Sequence, residues 1–238
     1  MRNVLTITQR ELRGTFGQPT AWVTISVFLG LLALFSLWFD DLLLSGLASM
    51  RRPFLWMAGG FVFLIPAITM RLIAEERRSG SLQILTTLPV HHAEIVLGKW
   101  LAAVTLVALS LALTLPYPIA LDLLGDLDWG PVVGGYLGLL CAGATFAALS
   151  TAASALTDRQ VVAFLLALLV CLLPWLIGYA LPLVPLPWVP LLEYLSFEYH
   201  FSNLARGVLD TRSLVFFVTV IAVALRAAVL VLDLRRLA

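Results

Sequence analysis

Charge is what this chain of 238 residues has least of. Asp, Glu, Lys and Arg make up 12%, while the hydrophobic set reaches 61% and mean hydropathy is +1.00; soluble domains carry about a quarter charged residues. Too few polar side chains remain to cover a water-exposed globule, which excludes an ordinary soluble enzyme and a disordered chain. A basic excess is missing as well. Fifteen Lys and Arg stand against fourteen Asp and Glu, so the chain has no electrostatic footprint for nucleic acid. There are two cysteines, Cys141 and Cys171, both inside apolar runs, and no disulfide framework can form in the loops. A G-x-x-x-x-G-K-[ST] phosphate loop is also lacking. Gly98-Lys99 has Ala93 where the first glycine belongs and Trp100 where Ser or Thr belongs, so the chain does not hold a nucleotide by that device.

What the sequence has instead is long uncharged runs. Residues 14–39, 53–70, 100–121, 129–157 and 160–192 contain no Asp, Glu, Lys or Arg, and 213–225 continues apolar past Arg226 to Leu232. A helix crossing a ~30 Å hydrocarbon core needs about 20 such residues, and in lipid only helices or closed barrels satisfy the backbone. No ten-residue alternating pattern of a barrel is present. The expectation is an all-α polytopic membrane protein, a single domain over 1–238 with six transmembrane helices near 20–39, 54–73, 97–118, 131–156, 161–182 and 213–232. With both termini cytoplasmic, only Arg51, Arg52, Arg206 and Arg212 of the fifteen basic residues lie outside, as the positive-inside rule requires. The first span reads as an uncleaved anchor, since no small-x-small cleavage site follows it.

Polar residues are spent in three places. Residues 3–16 set Val4, Ile7, Leu12 and Phe16 among Arg10, Glu11 and Arg13, the pattern of an amphipathic helix in the cytoplasmic interface, with Gly17-Gln18-Pro19 bending it into the first span. In the loop 71–90, a charged extension runs to Ser79-Gly80, a short apolar helix covers 81–88, and Pro89 stops it. Leu82, Leu85 and Leu88 would then form a docking knob for a soluble partner; a merely solvated linker would not need that apolar repeat. The outer segment 183–212 is too long for a tight connection and too aromatic for open water, with Trp188, Tyr194, Phe197, Tyr199 and Phe201 beside Glu193, Glu198, His200 and Arg206. Short helices dipping back into the outer leaflet fit it. In span four, Gly134, Gly138 and Ala142 form a row of small residues at helical spacing, which marks a closely packed central helix.

Candidate chemistry is sparse. Asp122, Asp126 and Asp128 offer one acidic cluster for a metal-bound diphosphate, without a second cluster on the same face. His91-His92-x-Glu94 lacks a third strong ligand. No Ser/His or Cys/His set recurs at one membrane depth. The spans are nearly empty of charge, unlike those of proton or ion pumps, so the energy source is expected in another chain.

The run from Pro66 through Glu75-Glu76-Arg77-Arg78-Ser79-Gly80-Ser81-Leu82 to Leu88-Pro89-Val90, followed by Glu94-Ile95-Val96-Leu97-Gly98-Lys99, resembles the type-2 ABC transporter permease family. The stretch 199–212, with Ala205-Arg206-Gly207-Val208-x-Asp210, is most similar to its gliding-motility-associated branch. Gln83 departs from the glutamate often found there. The resemblance implies a permease of an ATP-driven exporter with an N-terminal interfacial helix, a coupling helix between spans two and three, and re-entrant helices between spans five and six. It implies Glu75, Glu76, Gly80, Leu82, Leu85 and Pro89 as the contact to an ATPase. It further implies two ABC ATP-binding subunits that carry ATP and Mg, a second permease as homo- or heterodimer, possible attachment of an outer-face auxiliary subunit, and the bacterial inner membrane. No cofactor or metal is expected in this chain itself. Two other readings stand beside it: a membrane-embedded transferase using the aspartates, and a membrane anchor that transports nothing.

Overall fold

The computed structural model describes residues 2–36, 49–78, 91–183, 185–208 and 210–236. Among these the chain is helical throughout, without a strand. The helices are α1 (Arg2–Phe16), α2 (Pro19–Leu34), α3 (Arg51–Thr69), α4 (Ala74–Arg78), α5 (His92–Ala112), α6 (Pro116–Leu124), α7 (Trp129–Leu156) and α8 (Gln160–Ala180). Two 3₁₀ turns follow, Leu181–Leu183 and Leu186–Trp188, and then α9 (Val189–Leu195), α10 (Phe197–Ala205) and α11 (Thr211–Arg236).

Helix boundaries follow local chemistry. Pro19 opens α2 and Pro116 opens α6, where a missing N–H costs nothing. Asp128 caps α7 by accepting from the Gly130 N–H at 3.0 Å, and Ser196 caps α10 by accepting from the Tyr199 N–H at 3.2 Å. Two expected spans differ in outline. Span two ends as a regular helix at Thr69, breaks over Met70–Ile73 and resumes as α4. Span three starts at His92, not near 97, and after a break at 113–115 continues as α6 to Leu124, because Pro116 has no N–H for the helix to carry on through it.

Among the described residues, five continuous stretches are long and apolar enough to cross a membrane, and a sixth arises if α1 and α2, bent by 73°, count as one unit. Chain geometry favours six crossings, with α2 as the first. Asn3 Nδ2 donates to Glu94 at 3.2 Å, and His92 pairs with Asp233 at 2.5 Å. Both ends of the described chain therefore meet the start of α5, and the number of crossings between them must be even. α2 runs antiparallel along the whole of α3: Arg71 donates to Gln18, Phe28 stacks on Phe61 and Phe35 stacks on Trp56. It is thereby the candidate for the sixth crossing, first in chain order, with α1 bent away from it by 73°.

α7 is the central helix. Its most apolar window is 67% buried, against 22% for that of α8. A side chain at Gly135 would collide with the Phe54 ring of α3 and one at Gly143 with Val107 of α5, so bare backbone is what lets α7 take neighbours on several sides. Cys141 and Cys171 are free thiols.

Candidate functional site

At the end of the bundle where α1 lies, four charged side chains from three helices close a ring. Lys99, on the second turn of α5, is fully buried. Its Nζ lies 2.9 Å from Glu11 of α1 and 2.8 Å from Glu76 of α4. Arg10 of α1 completes the circuit, with its Nη2 at 2.9 Å from Glu11 and 2.6 Å from Glu76. Charges alternate around the ring and sum to zero. A lone ammonium at that depth would cost several kcal/mol; the two carboxylates in contact with it offset that cost, and half-exposed Arg10 balances the second of them. The Glu11 and Glu76 side chains are 15% and 18% exposed, so water does little to screen the interior bridges.

Each helix is steered into this contact by its sequence. Gly98 lets α1 approach α5 closely; a side chain there would meet Ile7. Thr8 Oγ1 donates to the Gly98 carbonyl at 3.0 Å, and Ile7 packs on Ile95. The break before α4 is held by Ser154 near the end of α7. Its hydroxyl accepts from the Ile73 and Ala74 N–H groups and lies 3.1 Å from the Met70 carbonyl. Arg77 donates to the Ala155 carbonyl at 3.2 Å. α4 is thus pinned to α7 on one side and to the ring on the other, and it leads directly into residues 79–90.

Burial by itself would raise the Glu11 carboxyl, but Lys99 and Arg10 outweigh it and hold the group below its ordinary value of 4.5. A depressed carboxylate lends stability that is present above its unfolded value and lost as pH falls through the folded one. The melting temperature of the wild type is therefore expected to hold from neutral pH to about 4.5 and to fall below it. In Glu11→Gln that acid-side fall is expected to be shallower, as thermal scans across pH would show; equal slopes would remove Glu11 as the cause.

The structure turns Glu76 inward onto Lys99 and Arg10 and leaves Glu75 exposed. Gly80, Leu82, Leu85 and Pro89 lie outside the described residues. Beside the ring, α1, α2, the end of α3 and α4 border a cleft of about 650 Å³ whose walls include Gln18, Ile68, Arg71 and Glu75. Lys99, Arg10 and Glu11 were not legible as a site. Lys99 reads as a flanking basic residue, and the one available hint was that it sits past the start of an apolar helix.

At the opposite end, His200 is buried, stacked on Phe216 at 4.1 Å, and hydrogen-bonded to Ser213 Oγ at 3.1 Å and the Tyr194 carbonyl at 3.0 Å. Glu198 is half-buried beside Gly178; burial pushes its carboxyl up, opposed by Arg206 and Arg51. Glu193 is half-buried, while Trp188, Tyr194 and Arg206 are exposed. Gly134 and Gly138 of α7 lie directly against Leu204 of α10, and Ala142 is buried one turn further on. Gly207, at φ +82°, turns the chain out of α10, a conformation that favours glycine.

Among the described residues no three His, Cys, Asp or Glu side chains converge as a metal site. Asp128 is engaged as the α7 cap, and His92 is engaged by Asp233. The transferase reading thus has no built centre among these residues.

No curated protein matches the chain. The model of the ABC-2 family transporter protein matches residues 43–205, from before α3 through α10 and more than half of the chain. Residues 75, 76 and 99 fall inside the match, whereas α1 and α11 lie outside it. With its apolar crossing helices and this match, the chain belongs to the ABC-2 family of transporter proteins, as a membrane permease subunit whose ATPase activity resides in a separate subunit.

Proposed function

We propose that this chain is one permease half of an ATP-driven exporter of the bacterial inner membrane. Both termini face the cytosol, it pairs with a second permease, and two ATP-binding subunits drive alternating access through residues 79–90. One observation carries the reading: α4, which leads into that segment, is held to α1 and α5 through buried Lys99 and to α7 through Ser154. A push delivered at 79–90 has a stiff path into the bundle. A solvated linker would need neither the buried charges nor the hydroxyl cap.

In this reading Gly80, Leu82, Leu85 and Pro89 shape the contact surface, with Glu75 at its rim. The row of Gly134, Gly138 and Ala142 sets α7 against the segment holding Trp188, Glu193, Tyr194, Glu198, His200 and Arg206, which closes the outer face. ATP and Mg are held by the partner subunits. The gliding-branch likeness rests on the 199–212 stretch.

The test is co-expression with the ATP-binding subunits and purification of the complex. Leu85→Asp places a charge on the apolar docking surface and is expected to lower co-purification, or the ATPase rate of the assembled complex, at least tenfold. A complex that forms and hydrolyses ATP as the wild type does would overturn the reading.

A further inference from the structure

We propose that the cleft between α1, α2, the end of α3 and α4 is a binding site for one phospholipid of the phosphatidylethanolamine type. Its phosphate lies on Arg71, its ammonium on Glu75, and the start of its acyl chains along α2 and α3. Such a site needs only the membrane placement of these helices and is independent of any partner subunit.

Depth and polarity point to a lipid. α1 bends by 73° into α2, and the cleft of about 650 Å³ is walled by both arms of the bend. Trp22, at the start of α2, is exposed, stacks near Phe16 with ring centroids 5.5 Å apart, and donates to the Phe16 carbonyl at 3.2 Å. A tryptophan so placed marks the headgroup level of a bilayer. From that level the walls grade in polarity along antiparallel α2 and α3. Arg71 meets Gln18 at the outer edge, Phe28 meets Phe61 deeper in the bundle, and Val23, Ala67 and Ile68 line the cleft in between. Gly14 leaves the α1 wall bare, with no atom within 4 Å of a Cβ added there. A free phosphate ion would leave the apolar walls wet, whereas an amphiphile covers both parts.

Charge selects the headgroup. Arg10, Glu11 and Glu76 also border the cleft, but with Lys99 they balance within the ring. That leaves Arg71 and Glu75. The Glu75 N–H donates to the Arg71 carbonyl at 3.2 Å, so the two residues are one helical turn apart, a spacing at which side chains are neighbours. Among the described residues Arg71 has one side-chain partner, Gln18 at 3.4 Å, and Glu75 makes no ion pair. A lipid seated in the cleft takes water from both, and a covered charge must be paired. An anionic headgroup would serve Arg71 and set its own charge beside Glu75. A phosphate joined to a primary ammonium serves both: the guanidinium takes the phosphate oxygens, and the ammonium N–H groups donate to the carboxylate. A trimethylated ammonium has no N–H to donate.

Native mass spectrometry of the full chain in detergent tests the site. The chain is titrated with phosphatidylethanolamine, with its mono-, di- and trimethylated forms, and with phosphatidylglycerol. In the wild type, affinity is expected to fall by about tenfold along the methylation series, the size of one charge-assisted hydrogen bond, and phosphatidylglycerol is expected to bind less tightly than phosphatidylethanolamine. Glu75→Ala is expected to flatten the series and Arg71→Met to weaken every member of it. Gly14→Leu fills the cleft from the α1 wall with all charges in place. It is expected to weaken phosphatidylethanolamine by a similar factor while the melting temperature in detergent holds. Should Arg71→Met fail to fold, the other two variants still decide. A flat methylation series in the wild type, or phosphatidylglycerol bound more tightly than phosphatidylethanolamine, overturns the proposal. So does a phosphatidylethanolamine affinity unchanged in both Glu75→Ala and Gly14→Leu, because the lipid then binds elsewhere on the bundle.

Discussion

Lys99→Met is expected to destabilise the protein by about 3–5 kcal/mol, the range found when one partner of a buried ion pair is removed. Methionine fills nearly the same space, so the loss is electrostatic rather than a cavity effect. The fully buried Nζ is within 2.9 Å of both Glu11 and Glu76; without it, two carboxylates share a site with only Arg10 to balance them. That residual charge sits against α1, α4 and α5, so those helix contacts should loosen first. Adding Glu11→Gln to the same chain leaves a neutral remainder, the 2.6 Å Arg10–Glu76 pair, and is expected to recover most of the lost stability. Thermal unfolding in detergent, followed through tryptophan fluorescence, would read both variants. A single variant within about 1 kcal/mol of the wild type would show that the ring is not closed in the membrane protein, since an open, hydrated lysine contributes no more than that.

The second large effect is expected at Gly134. A Cβ there would lie 2.4 Å from the Leu204 carbonyl oxygen and 3.0 Å from the Gly207 Cα. Both neighbours are backbone, in the turn where Gly207 already holds φ at +82°, so neither can swing aside as a side-chain tip would. Gly134→Val is expected to cost about 3 kcal/mol or more, at the upper end of overpacking penalties, by pushing α10 off α7. Displacement of α10 would also move His200 away from Ser213 and Phe216, which connect it to α11. Gly59→Ala is the matched control. No atom lies within 4 Å of the added carbon there, so it should be neutral or slightly stabilising through helix propensity. Equal losses in the two variants would refute the close α7–α10 contact.

Gly134 also shows how much of the fold could be read beforehand. The row with Gly138 and Ala142 announced close packing of span four, because small residues at helical spacing have few other uses in a membrane helix. It did not announce the partner, which is the short α10 between spans five and six rather than another crossing helix. Sequence separation is the reason. Gly134 and Leu204 are far apart in the chain, and no local pattern records which surface will meet which.

The same division runs through the candidate site. Glu75 and Glu76 were visible as a polar pair next to an apolar docking repeat, and their neighbourhood resembled a coupling loop. Their different fates were not visible: Glu76 turns into the ring while Glu75 stays exposed. Lys99 closed the stretch that resembles the family but carried no role there beyond a flanking basic residue, because topology rules weigh flanking charges without regard to depth or partner.

By itself the sequence determined the class of protein, an all-α chain with five or six helices long and apolar enough to cross a membrane, and the bend between α1 and α2. These follow from composition, run length and proline or glycine positions, which act on the backbone locally. The tertiary structure decided what the few charges do. A buried ion is tolerable only where opposite charges converge on it, and the convergence of Arg10, Glu11, Glu76 and Lys99 exists only after three helices separated in the chain have packed.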